Sequence, residues 1–142
     1  MTTLNWYDNT HRRSLEQDIS ADTDLKCALL VVGHSPSIST HQTWADVQGD
    51  ETSGTGYTSG GEALTTISVS TSGGTTTLDA DTVEWSNSTI DAGYAVVYDD
   101  TPASDSDKSL LCLVDFEGEE SSDDGLFQID WHNDGIAEIN NQ

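Results

Sequence analysis

"LKCALLVVG", residues Leu25 to Gly33, is apolar at odd and even positions alike, with Lys26 as the charged exception. Glycine and proline punctuate its end, and a short apolar run bounded in this way predicts a β-strand that is buried on both faces. Two later runs, "YAVVY" (Tyr94–Tyr98) and "LLCLV" (Leu110–Val114), have the same character. We therefore expect strands at the centre of the fold whose two faces are both apolar.

Alternating apolar and polar residues predict further strands with one wet face. The alternation runs through residues 63–71 and again through "LFQIDW" (126–131), where an "HNDG" turn before "IAEI" predicts a terminal hairpin. Short turns recur about every ten residues, as in sandwiches and barrels. The chain is thus predicted to be all-β: an antiparallel β-sandwich or small barrel of about seven strands.

The domain organisation is predicted to be simple, because a chain of 142 residues suits one domain. Residues 1–23 are polar and are predicted to form an N-terminal arm, with residues 24–142 as the β-domain. At most one short helix is expected, over "THQTWADV" with Thr40 as its N-cap.

The charge of the chain excludes several classes of function. The sequence has 26 acidic and 4 basic residues, a formal net charge of -22, and the acids are spread along it. Such a surface repels itself, but at molar salt the screening length falls to about 3 Å. We interpret the charge as adaptation to a very salty medium, with mimicry of nucleic acid as the second interpretation. Four scattered cations do not suit binding to nucleic acid or to an anionic membrane.

No leader pattern and no apolar run of about 18 residues occurs in the sequence, so we expect neither a secretion signal nor a membrane span. A soluble protein is therefore expected.

The doubly apolar strands require a cover on their second face. One short helix is too small for three strands, whereas copies of the same chain would suffice, as in symmetric oligomers. We therefore expect a homo-oligomer. Trp6 and Tyr7 are its first interface candidates, because burying them within one subunit is harder from a polar arm. The full set of interface candidates is Trp6, Tyr7, Tyr57, Tyr94 and Tyr98.

The glycine-rich stretch "GDETSGTGYTSGGEALT" (residues 49–65) lacks the features of a phosphate-binding loop. A Walker loop needs a lysine after its last glycine, where this chain has Glu62, and Gly54, Gly56 and Gly60 depart from the dinucleotide fingerprint. No G-x-S-x-G nucleophile motif occurs either. We expect a connecting loop that contacts a neighbouring subunit, and no enzyme activity.

Two sets of side chains are candidate metal ligands. "EGEESSDDG" supplies carboxylates of the kind that Ca²⁺ or Mg²⁺ binds, although it departs from the D-x-[DN]-x-[DN]-G loop and an exposed salt-adapted turn explains it equally well. Its candidate ligands are Glu117, Glu119, Glu120, Asp123 and Asp124. The second set is His34, His41 and Asp46, for which two solvated loop histidines are the alternative. Beyond such cations we expect no cofactor.

Cys27 and Cys112 each lie in an apolar run, without the spacing of a metal motif. We expect two reduced thiols in the core. A disulfide between neighbouring strands is the alternative, which a reducing cytosol disfavours.

Four segments, in order, carry a resemblance to a known family: "GTGYTSGGEAL" (54–64), "DADTVEWSNSTI" (79–90), "AVVYDDT" (95–101) and "LLCLVDF" (110–116). They resemble a family of small β-rich virion structural proteins of tailed viruses, both bacteriophages and haloarchaeal tailed viruses. The similarity spans about residues 24–136. It supplies no catalytic residues.

The resemblance implies a non-enzymatic virion structural protein that is made in the host cytoplasm. A capsid decoration or turret subunit is expected, forming a homo-oligomer and contacting other virion proteins such as the major capsid protein. A neck, tail or tail-tip fibre component is the alternative within this class. Two rivals come from other classes. A carbohydrate- or receptor-binding β-module would require aromatic residues exposed in a groove, and a small hydrolase would require a pocket with converging Asp and His.

Overall fold

The computed structural model describes residues 3–8, 24–131 and 137–140. One short helix in these ranges, α1 (Trp44–Val47), leads directly into a 3-10 turn over Gln48–Asp50, and a second 3-10 turn covers Asp105–Asp107. None of the described helices has the length and apolarity that crossing a membrane would require. The described strands are β1 (Thr3–Trp6), β2 (Leu25–Leu30), β3 (Glu62–Ala63), β4 (Ser68–Ser72), β5 (Thr75–Asp79), β6 (Val83–Asp99), β7 (Leu110–Ile129) and β8 (Ala137–Asn140).

The strands form two sheets in which the pairings are antiparallel. The first sheet has the order β1-β7-β6-β2-β3, and the second has the order β4-β5-β8. The prediction of an antiparallel, sandwich-like all-β fold with one short helix is confirmed, and the alternative of a closed barrel is not. Setting aside the two-residue β3 leaves the expected seven strands.

The main core lies on one face of the first sheet. Leu29, Trp85, Val97 and Val114 from three of its strands pack there, and Leu78 of β5 joins them from the second sheet. Leu29, Val97 and Val114 belong to the three runs that are apolar on both faces, so burial of this face is expected from the sequence. The contact through Leu78 makes the two sheets one domain.

A second core covers the opposite face of the first sheet. Trp44 and Val47 of α1 pack on Leu30, Val96 and Tyr98. The Trp44 and Tyr98 rings stack with centroids 4.5 Å apart and planes 7° from parallel. The doubly apolar strands are therefore covered by the chain itself.

This cover is wider than α1 because the connection over residues 31–51 is held at several points along its length. The Val31 amide donates to the Asp50 carbonyl at 2.9 Å, which closes the two ends of the connection. The Leu110 amide of β7 donates to the Gln42 carbonyl at 2.9 Å, and the Trp44 amide donates to the Lys108 carbonyl at 2.8 Å. The expectation that only other copies could cover the second face was wrong, because it counted the helix and not the connection around it. The homo-oligomer stays a prediction, but this reason for it is lost.

The helix begins later than the sequence indicated. Its N-cap is Thr43, not Thr40. The Asp46 carboxylate accepts hydrogen bonds from the backbone amides of Thr43 at 3.0 Å and Gln42 at 2.9 Å. A carboxylate three residues after the cap satisfies the amides that a helix start leaves open, and this fixes the start at Thr43.

The strand predicted over residues 63–71 is broken in two, β3 and β4. Thr66 stands between them with φ of 55°, and its hydroxyl donates to the Asp81 carboxylate at 2.7 Å. The left-handed backbone at Thr66 turns the chain between the two strands, so β3 stays in the first sheet and β4 lies in the second.

Both termini differ from the sequence-based expectations. The start of the predicted arm is β1, which pairs with β7 in the first sheet, while residues 9–23 lie outside the described residues. The predicted terminal hairpin was wrong, because β8 pairs with β5. A turn signal identifies the nearest strand in sequence, whereas any open sheet edge of suitable register can accept the strand.

Candidate interaction surfaces

The outer face of the long β6–β7 hairpin is bare over half its length. In β6 the side chains of Val83 and Trp85 point into the main core, whereas Glu84, Thr89 and Asp91 are exposed. The neighbouring strand β2 pairs with β6 only over residues 94–99. Among the described residues, neither β2 nor the 31–51 cover reaches this half, so it presents a polar, acidic face.

The acidic stretch of β7 follows a wide bulge. Tyr94 pairs with Asp115 and Ala92 pairs with Glu120, so Gly93 alone opposes β7 residues 116–119. Glu117 in the bulge has φ of 57°. Gly93 faces Val32 so closely that a Cβ would come within 2.5 Å of the Val32 Cα. A glycine is therefore required on the β6 side of the bulge.

This geometry does not support the predicted Ca²⁺ or Mg²⁺ site. The candidates are exposed along an extended strand: Glu117, Glu119, Glu120, Asp123 and Asp124. Within the described ranges, no group of three or more His, Cys, Asp or Glu side chains is arranged to hold a metal. Strand and bulges spread these carboxylates apart, whereas a calcium loop curls around the ion.

Asp100 follows β6 at the closed end of the β6–β7 hairpin, and its carboxylate contacts both lysines of the chain. Its carboxylate lies 2.8 Å from the Lys108 ammonium and 3.1 Å from that of Lys26, and Lys108 also reaches Asp105 at 3.1 Å. Desolvation acts to raise the pKa of Asp100, but the hydrogen bonds from both lysines outweigh it, so this pKa lies below its ordinary value. The hydrogen bond to Asp100 is the main cause of a raised pKa for Lys108.

The glycine-rich loop is tied to the first sheet through Glu51. One carboxylate oxygen accepts from the Tyr57 hydroxyl at 2.7 Å and from the Gly60 amide at 2.6 Å. The Tyr57 hydroxyl in turn accepts from the Leu29 amide at 3.1 Å, and the Tyr98 hydroxyl donates to the Gly60 carbonyl at 2.6 Å. The loop is therefore part of the domain's own packing.

Two glycines show how closely this loop approaches the sheet. A Cβ on Gly61, which has φ of 83°, would lie 2.0 Å from the Cys27 carbonyl oxygen. A Cβ on Gly54 would lie 2.2 Å from the Thr89 carbonyl oxygen. Because glycine has no Cβ, these residues let the backbone of the loop contact the backbone of the sheet directly. This contact explains the glycine-rich composition without a bound phosphate.

The aromatic interface candidates divide into two groups. Tyr7 and Tyr98 are 0% and 1% exposed and belong to the second core, so assigning them to an intermolecular interface was wrong. Tyr7 is drawn in because its amide donates to the Leu111 carbonyl at 3.0 Å, which continues the register of β1. Trp6, Tyr57 and Tyr94 are half-buried, and their interface role stays a prediction.

Burial also determines the ionisation of these tyrosines. Desolvation raises the pKa of Tyr7, Tyr57 and Tyr98 far above the ordinary value for a phenol. For Tyr57 the hydrogen bond to Glu51 adds to the increase. All three hydroxyls therefore remain protonated hydrogen-bonding or packing groups and do not act as bases.

The predicted set of His34, His41 and Asp46 does not assemble. The His34 and His41 rings lie 5.6 Å apart, but Asp46 caps α1, and the amides of Gln42 and Thr43 lower its pKa. The carboxylate beside His34 is Asp50, with Nδ1 to Oδ2 at 2.8 Å. No local pattern marks Asp50 in the sequence, because the pair closes the two ends of the covering connection.

Cys27 and Cys112 are buried free thiols, as expected. They pair with opposite sides of Val97, so the whole of β6 separates them. Two strand spacings amount to about 10 Å, beyond the roughly 7 Å that a disulfide can bridge. Burial raises the pKa of both thiols, that of Cys112 to about 12.

No family model, curated protein or solved structure matches this chain. The resemblance to virion structural proteins therefore stays a prediction. What the described residues offer is a packed β-domain, a bare acidic face on one hairpin half, and open sheet edges.

Proposed function

We propose that the chain is a non-enzymatic structural protein of the virion of a salt-adapted tailed virus, acting as a homo-oligomeric capsid decoration or turret subunit. The observation that carries the proposal is the role of the residues in its four resemblance motifs. Those residues build the fold.

The first motif supplies Tyr57 and Gly61, which fix the glycine-rich loop on the sheet. The second supplies Trp85 of the main core. The third and fourth supply Tyr98 and Leu113 of the second core. Motifs of this kind are expected in proteins that share a scaffold, whereas enzymes that share a reaction would share exposed polar groups.

The distribution of charge supports the salt-adapted part of the proposal. Both lysines of the chain contact Asp100, so the described surface elsewhere has acids without a lysine beside them. Such a surface destabilises the compact state at low ionic strength, and molar salt removes most of that cost.

The burial of the aromatic residues argues against the carbohydrate-binding alternative. Tyr7, Trp44, Trp85 and Tyr98 are each at most 4% exposed. Sugar-binding modules present aromatic faces to solvent, whereas these rings pack in the two cores. The fold of the chain does not decide between a position on the capsid and one on the neck, tail or tail tip. An experiment has to separate these positions.

The proposal is tested by gold-labelled antibody against this chain on virus particles released by cells that carry its gene. Regular labelling of the capsid is expected. Labelling of the tail or neck would replace the capsid assignment, and absence of the chain from particles, checked by mass spectrometry, would overturn the virion proposal. A protease inhibitor cocktail during purification guards against loss of the chain by cleavage.

A further inference from the structure

The second sheet ends in a strand that carries no charge. Residues 63–78, which include β4 and most of β5, contain no Asp, Glu, Lys or Arg, in a chain with 26 acids. Ser68, Val69 and Ser70 of β4 are exposed. Natural sheets protect exposed edges with charges, prolines or bulges, and β4 has none of these.

The register shows which backbone groups of β4 face outward. The turn glycines, Gly73 and Gly74, both have positive φ, as in the two-residue turn whose flanking residues, Ser72 and Thr75, form a hydrogen-bonded pair. Hydrogen-bonded and non-hydrogen-bonded pairs alternate from there. Ser70 therefore bonds to β5, whereas the amides and carbonyls of Val69 and Thr71 point away from it. In the described part of the chain, β4 pairs with β5 alone.

The side chain of Val69 adds an apolar contact to this edge. Val69 pairs with Leu78, so the two share the face that points to the main core. Leu78 is 7% exposed, but Val69 is 43% exposed. The Val69 side chain therefore points to the same side as the core but extends past the edge of the packed residues. A further strand along β4 would bury it.

We propose that β4 is the self-association edge of this protein, pairing antiparallel with β4 of a second copy across a twofold axis. The inference rests on the proposed homo-oligomer and names its surface. The two three-stranded sheets would join into one of six strands, with Val69 and Thr71 of each copy completing the hydrogen bonds.

Charge explains why a second copy is the partner. Two copies with a charge of -22 each repel wherever carboxylates meet. At molar salt only charges in near contact still interact. An edge without carboxylates lets two such copies approach at backbone distance, about 4.8 Å between strands, without placing acids opposite each other. Association through β4 is therefore expected to require high salt and to be lost at low salt.

The test measures molar mass by light scattering across a dilution series in about 2 M salt, where only near-contact charges still interact. Val69→Lys places a charge on the edge, and Val32→Lys adds the same charge at another exposed valine in the 31–51 connection. We expect the wild-type dimer to weaken about tenfold or more in Val69→Lys, since charges block edge pairing, and to be unchanged in Val32→Lys. Val69→Pro, which removes the outward amide and no intra-hairpin bond, should dissociate it as well.

Hydrogen exchange provides a second readout that needs no variant. Protection of the Val69 and Thr71 amides should rise with protein concentration, while the Ser70 amide, already bonded to β5, should stay constant. A monomeric wild type, an unchanged dimer in Val69→Lys, or equal weakening in Val32→Lys would each overturn the assignment of β4. Labelling of virus particles is independent of these results, so failure of the edge and failure of the virion proposal can be told apart.

Discussion

The two halves of the β6–β7 hairpin share the same two strands but differ in what lies on their outer face. In the covered half, Val96 pairs with Leu113 and both are buried by the 31–51 connection. In the bare half, Glu84 pairs with Gln128 and both are exposed. The inner faces of both halves lie on the same main core.

This difference shows that a strand segment with apolar residues on both faces is one that another part of the same chain covers. The pattern by itself does not indicate an oligomer interface. Read from its end, β6 is apolar on both faces over five residues and then alternates over about the next ten. The boundary falls near Gly93, where the bulge in β7 begins and β2 ends its pairing.

The largest expected loss of stability is for a substitution in the 31–51 connection that covers the sheet. Trp44→Ala removes the ring that stacks on Tyr98, and a buried Trp→Ala change costs about 3–5 kcal/mol of unfolding free energy. Gln128→Ala on the bare half should stay within about 0.5 kcal/mol, as exposed substitutions do. Urea unfolding in high salt measures both. Equal losses in the two variants would contradict the distinction between the halves.

The next effect concerns the glycine-rich loop that borders both halves. Tyr57→Phe removes the hydroxyl that accepts from the Leu29 amide and donates to Glu51, and it should cost about 2 kcal/mol because a part-buried amide loses its partner. Ser59→Ala, which removes a weaker 3.3 Å bond to Glu51, is the matched control and should cost less. A Tyr57→Phe variant as stable as the wild type would mean that the Tyr57 hydroxyl does not help to hold the loop on the sheet.

A smaller effect is expected at the closed end of the covered half. Asp100→Asn leaves Lys26 and Lys108 without their shared anion, at a cost of about 1 kcal/mol in low salt and less at molar salt. The native pKa of Asp100 lies below the ordinary 3.8. Its stabilising effect is therefore present above that ordinary value and is lost as the pH falls through the native pKa.

The measurement for Asp100 is urea unfolding of the wild type and Asp100→Asn at neutral pH and at about pH 3, where an aspartate in an unfolded chain is mostly protonated. The gap between the two proteins should narrow at acid pH. A gap that is independent of both pH and salt would show that the carboxylate's charge is not what stabilises this end.

The smallest effect is expected on the bare half. The combined change Glu119→Gln, Glu120→Gln and Asp123→Asn should raise stability by about 0.5 kcal/mol in 0.1 M salt and leave it unchanged at molar salt, because it removes only screened repulsion. Thermal unfolding at the two salt concentrations measures this. A loss of stability at molar salt would instead indicate that these carboxylates hold salt cations in the native protein.

The sequence predicts the main sheet well because its signals there are local. The apolar runs and the alternation at Phe127 and Ile129 place side chains correctly in the core. What it cannot predict are pairings between distant segments: β8 with β5, the 31–51 connection over β6, and Asp100 with Lys26. These depend on which open edge or face a segment reaches, and no short-range pattern encodes that.

The candidate site is less predictable for the same reason. Carboxylates close in sequence, such as Glu119 and Asp123, suggest a cluster, yet an extended strand separates them. Tyr7 lies in a polar stretch and is nevertheless buried, because pairing of β1 with β7 carries it into the second core. Composition describes the surface chemistry, while strand pairing decides which groups meet.

The two cysteines give the molecule an intrinsic reporter. Cys27 and Cys112 lie inside the main core on either side of β6, too far apart to join and too buried to ionise readily. A thiol reagent can reach them only when the sheet itself opens. The rate at which the native protein loses its free thiols in brine, and again in dilute buffer, will therefore report how often the first sheet opens under each condition, with no added label.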